Sequence, residues 1–281
     1  MKAKLGNRRV TGKEQFYTPS ALALELSKSL KQHVGDFASH TFIEPAGGTG
    51  AFINAVAQLG ATKILAFDIE PKHPTVKRAD FLGTKLTAKN AITVSNPPFG
   101  RNNSLSIPFF NHAAEASDFI AFVVPRSWRK WSVINRLDRR FHLIHDQDLQ
   151  IDYVDETDSP LHEKNNLKTC FQVWQKRSEQ RPIYRVIDMG LVTKTDAANA
   201  DVALTQFGFG CGTVATEFKR EPNTTKLFLK VRDAEVLAAL KRVDFSKFYV
   251  NTAYTEALSL QEVNYLLNEA IFGNPHLEEI S

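Results

Sequence analysis

The sequence predicts an α/β fold built around a mixed, mostly parallel sheet, and three features support this prediction. Short, continuously apolar runs recur through the first two thirds of the chain, as is typical of strands that are buried on both faces. Amphipathic helical stretches separate these runs. Several runs end at glycine, proline or a polar side chain, and this end of the strand is where α/β proteins place their ligands.

The elements of this sheet can be assigned in order along the chain. Thr18 is a plausible N-cap and Pro19 a first-turn residue for a helix whose leucines, spaced four apart, form one buried stripe. The elements predicted after it are a strand at 41–44, a glycine turn at 45–50, a helix from 51, a strand at 64–67, a strand end at 79–82, a strand at 91–94, a helix over 107–116 and a strand at 119–124.

Two alternating segments predict that the sheet ends in an antiparallel hairpin. Residues 149–154 and 169–175 alternate like paired strands, with a polar loop between them. Phe171 and Trp174 are an odd number of positions apart and are therefore predicted to face opposite sides of the sheet. One of these side chains is expected in the core, and the other is a candidate for the active face.

The pattern changes at Arg181, so we predict a first domain at 1–180 and a small α+β unit at 181–281. In the second unit, strands are expected at 183–187 and 226–231 and helices at 233–241 and 259–272. The last helix is well marked, because Ser259 and Glu262 have the spacing of a capping box. The glycine cluster at 207–212 is interpreted as a tight turn.

Composition excludes several classes of protein. The net charge of +4 is mild, so a polyanionic partner is permitted but not required. No apolar run approaches the length of a membrane span, and the first residues lack the core of a signal peptide, so a cytoplasmic protein without membrane contact is expected. Cys170 and Cys211 form no CxxC pair, so neither a disulfide framework nor a zinc site is expected.

The candidate site centres on Asn96, which follows an apolar strand and precedes two prolines. Its amide offers one acceptor oxygen, and the carbonyl of Pro97 beside it offers another. Because Pro98 restricts the backbone further, both acceptors can point at one exocyclic amino group. A simple proline turn after a strand is the alternative interpretation of this stretch.

Three earlier strand ends also carry residues suited to a ligand. Glu44 precedes the glycine turn, where backbone can approach a bound molecule closely because side chains are absent. Asp68 lies about twenty residues after the glycines and could accept both hydroxyls of a ribose. Asp80 could accept from an adenine amino group, and Phe81 could pack on the ring.

A second cluster, Arg126, Trp128, Arg129 and Lys130, mixes cations with aromatic rings. Interleaved basic and aromatic residues suit a nucleic-acid backbone and its bases. The alternative is a helix start that buries its tryptophans and leaves its basic side chains in water. The basic character continues to Arg140 along one presumed helix.

Taken together, these motifs resemble those of DNA adenine-N6 methyltransferases over about residues 14–177. The matching stretches are Phe16-Tyr17-Thr18-Pro19, residues 44–52 from Glu44 to Phe52, Asp68, Asp80-Phe81 and Asn96-Pro97-Pro98-Phe99. Their order, with the cofactor motifs before the Asn-Pro-Pro-aromatic motif, resembles the γ subclass. The resemblance implies a Rossmann-like class I methyltransferase fold for residues 1–180, S-adenosylmethionine as the methyl donor, S-adenosylhomocysteine as product and no metal.

The resemblance also implies roles for individual residues. The residues implied to contact the cofactor are Tyr17, Thr18, Pro19, Glu44, Pro45, Ala46, Gly48, Asp68, Ile69, Asp80, Phe81 and Asn96. The catalytic motif is Asn96, Pro97, Pro98 and Phe99, with Phe99 stacking on the target base. Trp174 matches the position of a second aromatic beside that base.

The motif identifies an amino group as the acceptor without selecting the molecule that carries it. Similar Asn-Pro-Pro-aromatic motifs serve enzymes that methylate RNA adenine or a protein glutamine amide, and we rank DNA first, RNA second and glutamine third. A catalytically silent binding subunit is the alternative from a different class. Many proteins of this family carry a large separate recognition domain, whereas about a hundred residues follow the hairpin here. We therefore expect a short or relaxed target specificity, or one supplied by residues 181–281 or by a restriction or specificity partner.

Overall fold

A computed structural model describes residues 17–161, 166–219 and 221–280 of the chain. The chain divides into two compact units. The first contains the described residues up to Val124 together with Leu137–Gln180, and the second contains Pro125–Arg136 and the residues from Arg181 onward. The sequence pattern assigned residues 125–136 to the first domain, whereas the structure includes them in the second unit.

The first unit alternates strands and helices, as its apolar runs predict. Its elements up to residue 125 are α1 Ser20–Val34, β1 Thr41–Glu44, α2 Ala51–Gln58, β2 Lys63–Asp68, β3 Lys77–Arg78, β4 Ala91–Ser95, α3 Ser106–Ala113 and β5 Ser117–Pro125. The next helix, α4 Trp131–Ile134, belongs to the second unit. The first unit then continues with β6 Phe141–Leu149 and β7 Thr169–Lys176. The central strand β4 is buried along its whole length, which explains its uninterrupted apolar sequence.

These strands form one seven-stranded sheet in the order β3-β2-β1-β4-β5-β7-β6. The pairs from β3 to β5 are parallel, and β6 pairs with β7 antiparallel. The prediction of a Rossmann-like, mostly parallel sheet that ends in an antiparallel hairpin is confirmed. The chain leaves β1 toward β2 on one side and returns to β4 on the other, and a cleft is expected at the carboxyl ends of such a pair.

Three local predictions were wrong, two of them in this unit and one over residues 126–136, which belong to the second unit. The first strand of the hairpin is Phe141–Leu149 rather than 149–154; it lies at the sheet edge and exposes charged side chains, which obscured its pattern. The helix presumed over 126–140 is a 3₁₀ turn, Arg126–Arg129, followed by the single turn α4. The N-cap position of α1 is Pro19, without a side-chain cap.

The second unit is α+β, as predicted. Its remaining elements are β8 Ile183–Val186, β9 Val192–Lys194, β10 Val202–Phe207, β11 Val214–Ala215, β12 Thr225–Val231, α5 Ala234–Arg242, α6 Ser246–Tyr249, α7 Leu260–Phe272 and β13 Leu277–Ile280. An antiparallel sheet in the order β11-β10-β12-β9 contributes Leu204 and Leu229 to a core that also contains Leu240 and Leu267. The predicted capping box of Ser259 and Glu262 starts α7.

No helix within the described ranges is both long and apolar enough to cross a membrane.

Candidate functional site

A cleft of about 280 Å³, counting its open mouth, lies in the first unit beside the glycine turn. It lies at the carboxyl ends of the adjacent parallel strands β1 and β4, since Glu44 is the last residue of β1 and Asn96 directly follows β4. The residues that line it are Tyr17, Thr18, Glu44, Ala46, Gly47, Gly48, Thr49, Ala51, Phe52 and Asn96. The structure therefore brings together the glycine turn, the Tyr17-Thr18 segment and the predicted acceptor amide.

The amide of Asn96 is oriented by a hydroxyl from the N-terminal segment. Its Nδ2 donates to Oγ1 of Thr18 at 3.2 Å, and Thr18 is buried. The hydroxyl that was predicted to cap α1 therefore acts instead on the candidate catalytic residue. This bond directs the nitrogen end of the amide toward Thr18 and the oxygen end away from it.

Glu44 is a buried carboxyl at the floor of the cleft, with 3% of its surface exposed. Its Oε1 accepts from the backbone N–H of Ala46 at 3.0 Å and from the hydroxyl of Ser95 at 2.5 Å. Burial raises the pKa of Glu44 to about 8, although both hydrogen bonds act in the opposite direction. With a pKa above 7, this carboxyl is mostly protonated at neutral pH in the protein alone.

Asp68, predicted as a ribose ligand, braces the glycine turn. Its Oδ2 accepts from the backbone N–H of Gly48 and its Oδ1 from that of Glu70, both at 2.8 Å. Each carboxylate oxygen has a second acceptor site, so these bonds leave acceptor capacity on Asp68. The neighbouring Ile69 is 63% exposed and presents an apolar surface.

The predicted adenine ligands lie just beyond the end of β3. Asp80 is exposed, and its Oδ1 accepts from the N–H of Leu82. Phe81 is only 1% exposed, with its ring packed against Phe67 and Phe109. Phe81 is thus a core residue in this structure, and Asp80 is the part of this motif that remains accessible.

Two aromatic side chains cover the glycine turn. Gly48 has φ +45°, and a Cβ there would lie 3.0 Å from the ring of Tyr17. Gly50 has φ +86°, and a Cβ there would overlap the ring of His73. Only glycine combines these backbone angles with so close an approach. His73 was missed by sequence reasoning, because it lies in a polar connection between β2 and β3 without any motif.

The Tyr17-Thr18 segment is held in place by the connection that follows β6. The N–H of Val154 donates to the carbonyl of Tyr17 at 3.1 Å, and Oδ1 of Asp158 accepts from Ser20 at 3.2 Å. Burial raises the pKa of the Tyr17 phenol. Phe16, the first residue of this motif, lies outside the described residues.

The Asn-Pro-Pro-Phe motif continues into a well-bonded turn. Pro97 is buried, Pro98 is half-buried and Phe99 is 7% exposed. The carbonyl of Phe99 accepts from the N–H groups of Leu105 and Ser106 at 3.2 and 3.3 Å. Backbone at the motif is therefore constrained on both sides, by prolines and by hydrogen bonds.

The structure corrects the assignment of Trp174 to the target base. Trp174 and Phe171 are 1% and 0% exposed, because β7 is an interior strand that is covered on both faces. The Trp174 ring packs edge-on against Phe110 at 5.7 Å, and its Nε1 donates to Gln172. Trp174 is a core residue.

The basic and aromatic cluster after β5 is also corrected in part, and it belongs to the second unit. Trp128 is fully buried. The ammonium of Lys130 donates to both oxygens of the buried Glu262 and to the carbonyl of Ala257, at 3.0 to 3.1 Å. Three acceptors match its three donors, so Lys130 is a structural cation here. Arg126 and Arg129 are half-buried.

Within the described ranges, no group of three or more His, Cys, Asp and Glu side chains is arranged to hold a metal ion. Cys170 and Cys211 are both buried thiols, and burial raises the pKa of Cys211 to about 11.

Comparisons with known proteins give limited similarity. No protein-family profile and no curated protein sequence matches the chain. Among solved structures, the Pyrococcus horikoshii protein PH1948, provisionally described as an RNA methyltransferase, is 21% identical, with 58% of this chain and 87% of that chain covered at a TM-score of 0.47. The Thermoplasma acidophilum protein 1320 is 18% identical, with coverages of 60% and 93% and a TM-score of 0.44.

A third similar structure is a Vibrio vulnificus protein provisionally described as the modification subunit of a type I restriction enzyme. It is 14% identical, with 63% of this chain and 48% of that chain covered and a TM-score of 0.43. At these identities and TM-scores, the three structures define neither the activity nor the substrate of this chain.

Proposed function

We propose that this chain transfers a methyl group from S-adenosylmethionine to the exocyclic N6 amine of adenine in DNA. The observation that carries this proposal is the cleft itself, which places the amide of Asn96 and the glycine turn after Glu44 in one lining. A simple proline turn would not require a strand-end amide oriented by a hydroxyl and facing a glycine-rich wall.

The residues present fit such a cofactor. Gly47 and Gly48 present backbone without side chains to the cleft, and the buried Glu44 supplies a carboxyl on the same wall. Tyr17 to Pro19 would close over the donor, Asp68 and Ile69 would meet the ribose and adenine, and Asp80 would accept from the adenine amine. The cofactor supplies an electrophilic methyl group.

Asn96 and Pro97 would hold the acceptor amine. An adenine amine is a weak nucleophile because its lone pair is delocalised into the ring. Acceptors on both of its hydrogens favour a pyramidal, more nucleophilic nitrogen, provided that they are oriented in advance. The Thr18 bond to Asn96 and the proline-restricted backbone provide this orientation.

A base within a duplex cannot reach a strand-end cleft, so the adenine would have to be flipped out. Phe99 is the aromatic residue proposed to stack on it, and a small side-chain movement would be needed, since the ring is 7% exposed. We further propose that residues 181–281 or a separate specificity subunit select the target sequence. RNA adenine is the second candidate substrate, because the motif recognises only the amine.

The test is transfer of labelled methyl from S-adenosylmethionine to DNA, RNA and protein, beside an Asn96→Ala variant that still binds the cofactor. We expect N6-methyladenine in DNA with the wild-type chain and a loss of at least about a hundredfold in the variant. Label confined to RNA or to protein would overturn the DNA assignment. Cofactor binding without transfer to any of the three would indicate a catalytically silent subunit.

A further inference from the structure

Ser95 joins the cofactor side of the cleft to the acceptor side. It is the last residue of β4, it directly precedes Asn96, and it is fully buried. Its hydroxyl donates to Oε1 of Glu44 at 2.5 Å, across the parallel pair β1 and β4. A short, buried hydrogen bond between a hydroxyl and an ionisable carboxyl thus connects the ends of the two strands that form the cleft.

We propose that Ser95 is a positioning residue. It holds the Glu44 carboxyl in the orientation needed to accept a hydrogen bond from the ammonium group of the methyl donor. This inference rests on the proposed function. It adds a residue outside the catalytic motif that begins at Asn96. Ser95 does not line the cleft, so it would act through Glu44 and not by contact with the methyl donor or the acceptor base.

The hydrogen-bond geometry shows how Ser95 would act. Both donors to Glu44 in the described part of the chain, Ser95 and the N–H of Ala46, reach the same oxygen, Oε1. Oε2 is then the oxygen through which Glu44, a lining residue of the cleft, can accept from a ligand. Without the Ser95 hydroxyl, one of two restraints on the carboxyl is lost, and the group can rotate.

Ser95 also opposes the protonation of Glu44. Burial is the main factor that raises the pKa of Glu44, the carboxylate of Asp68 at the end of β2 raises it slightly, and the Ser95 hydrogen bond lowers it. Among the described residues that line the cleft, the phenol of Tyr17 is the other titratable group. Removing the Ser95 hydroxyl therefore favours the neutral carboxyl and weakens binding of a cation at neutral pH.

The experiment measures the affinity of S-adenosylhomocysteine by calorimetry between pH 6 and 9.5. This ligand carries the same amino group as the methyl donor but has no methyl group to transfer. The variants are Ser95→Ala, Glu44→Gln and the matched control Thr93→Val. Thr93 is equally buried on the same strand, but its hydroxyl pairs with Ser117. Glu44→Gln removes the titrating carboxyl, so its remaining pH dependence belongs to the ligand and the other groups.

We expect Ser95→Ala to bind about tenfold more weakly than wild type at pH 7, which corresponds to roughly one unit of pKa. The deficit should shrink above the pKa of Glu44, where the carboxyl is ionised in both proteins, and Thr93→Val should follow the wild-type curve. An unchanged Ser95→Ala curve, or an equal deficit in Thr93→Val, would overturn the inference. A Ser95→Ala deficit that is the same at every pH would support orientation of the carboxyl as the contribution of Ser95. If the wild-type chain binds no ligand at any pH, the proposed function itself fails.

Discussion

The side-chain amide of Asn96 donates to the hydroxyl of Thr18 at 3.2 Å, although the two residues are 78 positions apart in the chain. Thr18 lies in the segment before α1 and Asn96 follows β4, so the bond links the N-terminal segment to the central strand of the sheet. The position of the segment before α1 and the orientation of the candidate catalytic amide are therefore linked by this bond.

This bond predicts the behaviour of Thr18 variants. Thr18→Val keeps the volume but removes the acceptor, so the Asn96 amide loses a hydrogen bond worth about 1 kcal/mol. We expect the methyl-transfer rate to fall by roughly tenfold as the amide loses its orientation. Thr18→Ser retains the hydroxyl and should remain close to wild type. Equal rates for Thr18→Val and Thr18→Ser in a single-turnover assay would show that the bond does not matter for transfer.

Glu44 predicts how stability depends on pH. Its pKa is raised from 4.5 to about 8 in the folded chain, so the folded state retains a proton that the unfolded state releases. The free energy of unfolding should therefore decrease from about pH 4.5 to about pH 8 by a few kcal/mol through this group. Glu44→Gln mimics the protonated carboxyl and should be more stable than wild type at pH 8.5, with the advantage disappearing near pH 5. Urea unfolding at both pH values provides the comparison.

Gly50 and His73 predict a coupled pair of substitutions. Gly50→Ala introduces a Cβ at φ +86° that overlaps the His73 ring, so it combines backbone strain with a clash. Gly273→Ala is the matched control, because Gly273 has φ +69° and ψ 10°, close to the φ +86° and ψ 14° of Gly50, and no atom lies within 4 Å of the added Cβ. We expect a loss of about 1 kcal/mol for Gly273→Ala and a larger loss for Gly50→Ala.

Adding His73→Ala to Gly50→Ala should recover the part of the loss that the clash causes. Thermal unfolding of the single and double variants measures this coupling. Purely additive effects would mean that the His73 ring moves aside without cost.

The contacts of Lys130 predict that its substitution lowers stability and leaves nucleic-acid affinity unchanged. Its ammonium is paired with Glu262, whose side chain is 2% exposed, so Lys130→Met leaves a buried charge without its cation. We expect a loss of about 3–5 kcal/mol in the free energy of unfolding. Combining Lys130→Met with Glu262→Gln should restore most of the lost stability, because glutamine is neutral and its side-chain oxygen can still accept from the Ser259 N–H in the capping box. Nucleic-acid affinity of the folded double variant should match that of wild type in a binding titration.

Trp174 predicts a similar separation of stability from function. Trp174→Phe removes the Nε1 donor to Gln172 and leaves a gap beside Phe110, which should cost about 1–3 kcal/mol. Because the ring is 1% exposed, KM for the proposed nucleic-acid substrate should not change. A selective rise in KM, without loss of stability, would indicate that Trp174 contacts the target base after all.

The sequence predicted the sheet well because its information is local. The buried strand β4 and the glycine turn between β1 and α2 have patterns that few other structures allow. The edge strand β6 was misplaced, because only one of its faces is covered and its charged residues mask the period. The single turn at Arg126–Arg129 was taken for part of a long helix, because composition does not reveal where a helix ends.

The sequence by itself determined the α/β class, the order of the strand ends and the polar residues that stand at them. Tertiary structure alone decided which of these residues share a cleft and what each one contacts. Thr18 meets Asn96, Ser95 meets Glu44 and His73 meets Gly50 only because parallel strands bring distant segments to one sheet edge. Burial likewise decided that Trp174 is a core residue, and the ion pair with the buried Glu262 decided that Lys130 is structural. Both depend on the neighbours of a side chain and not on its type.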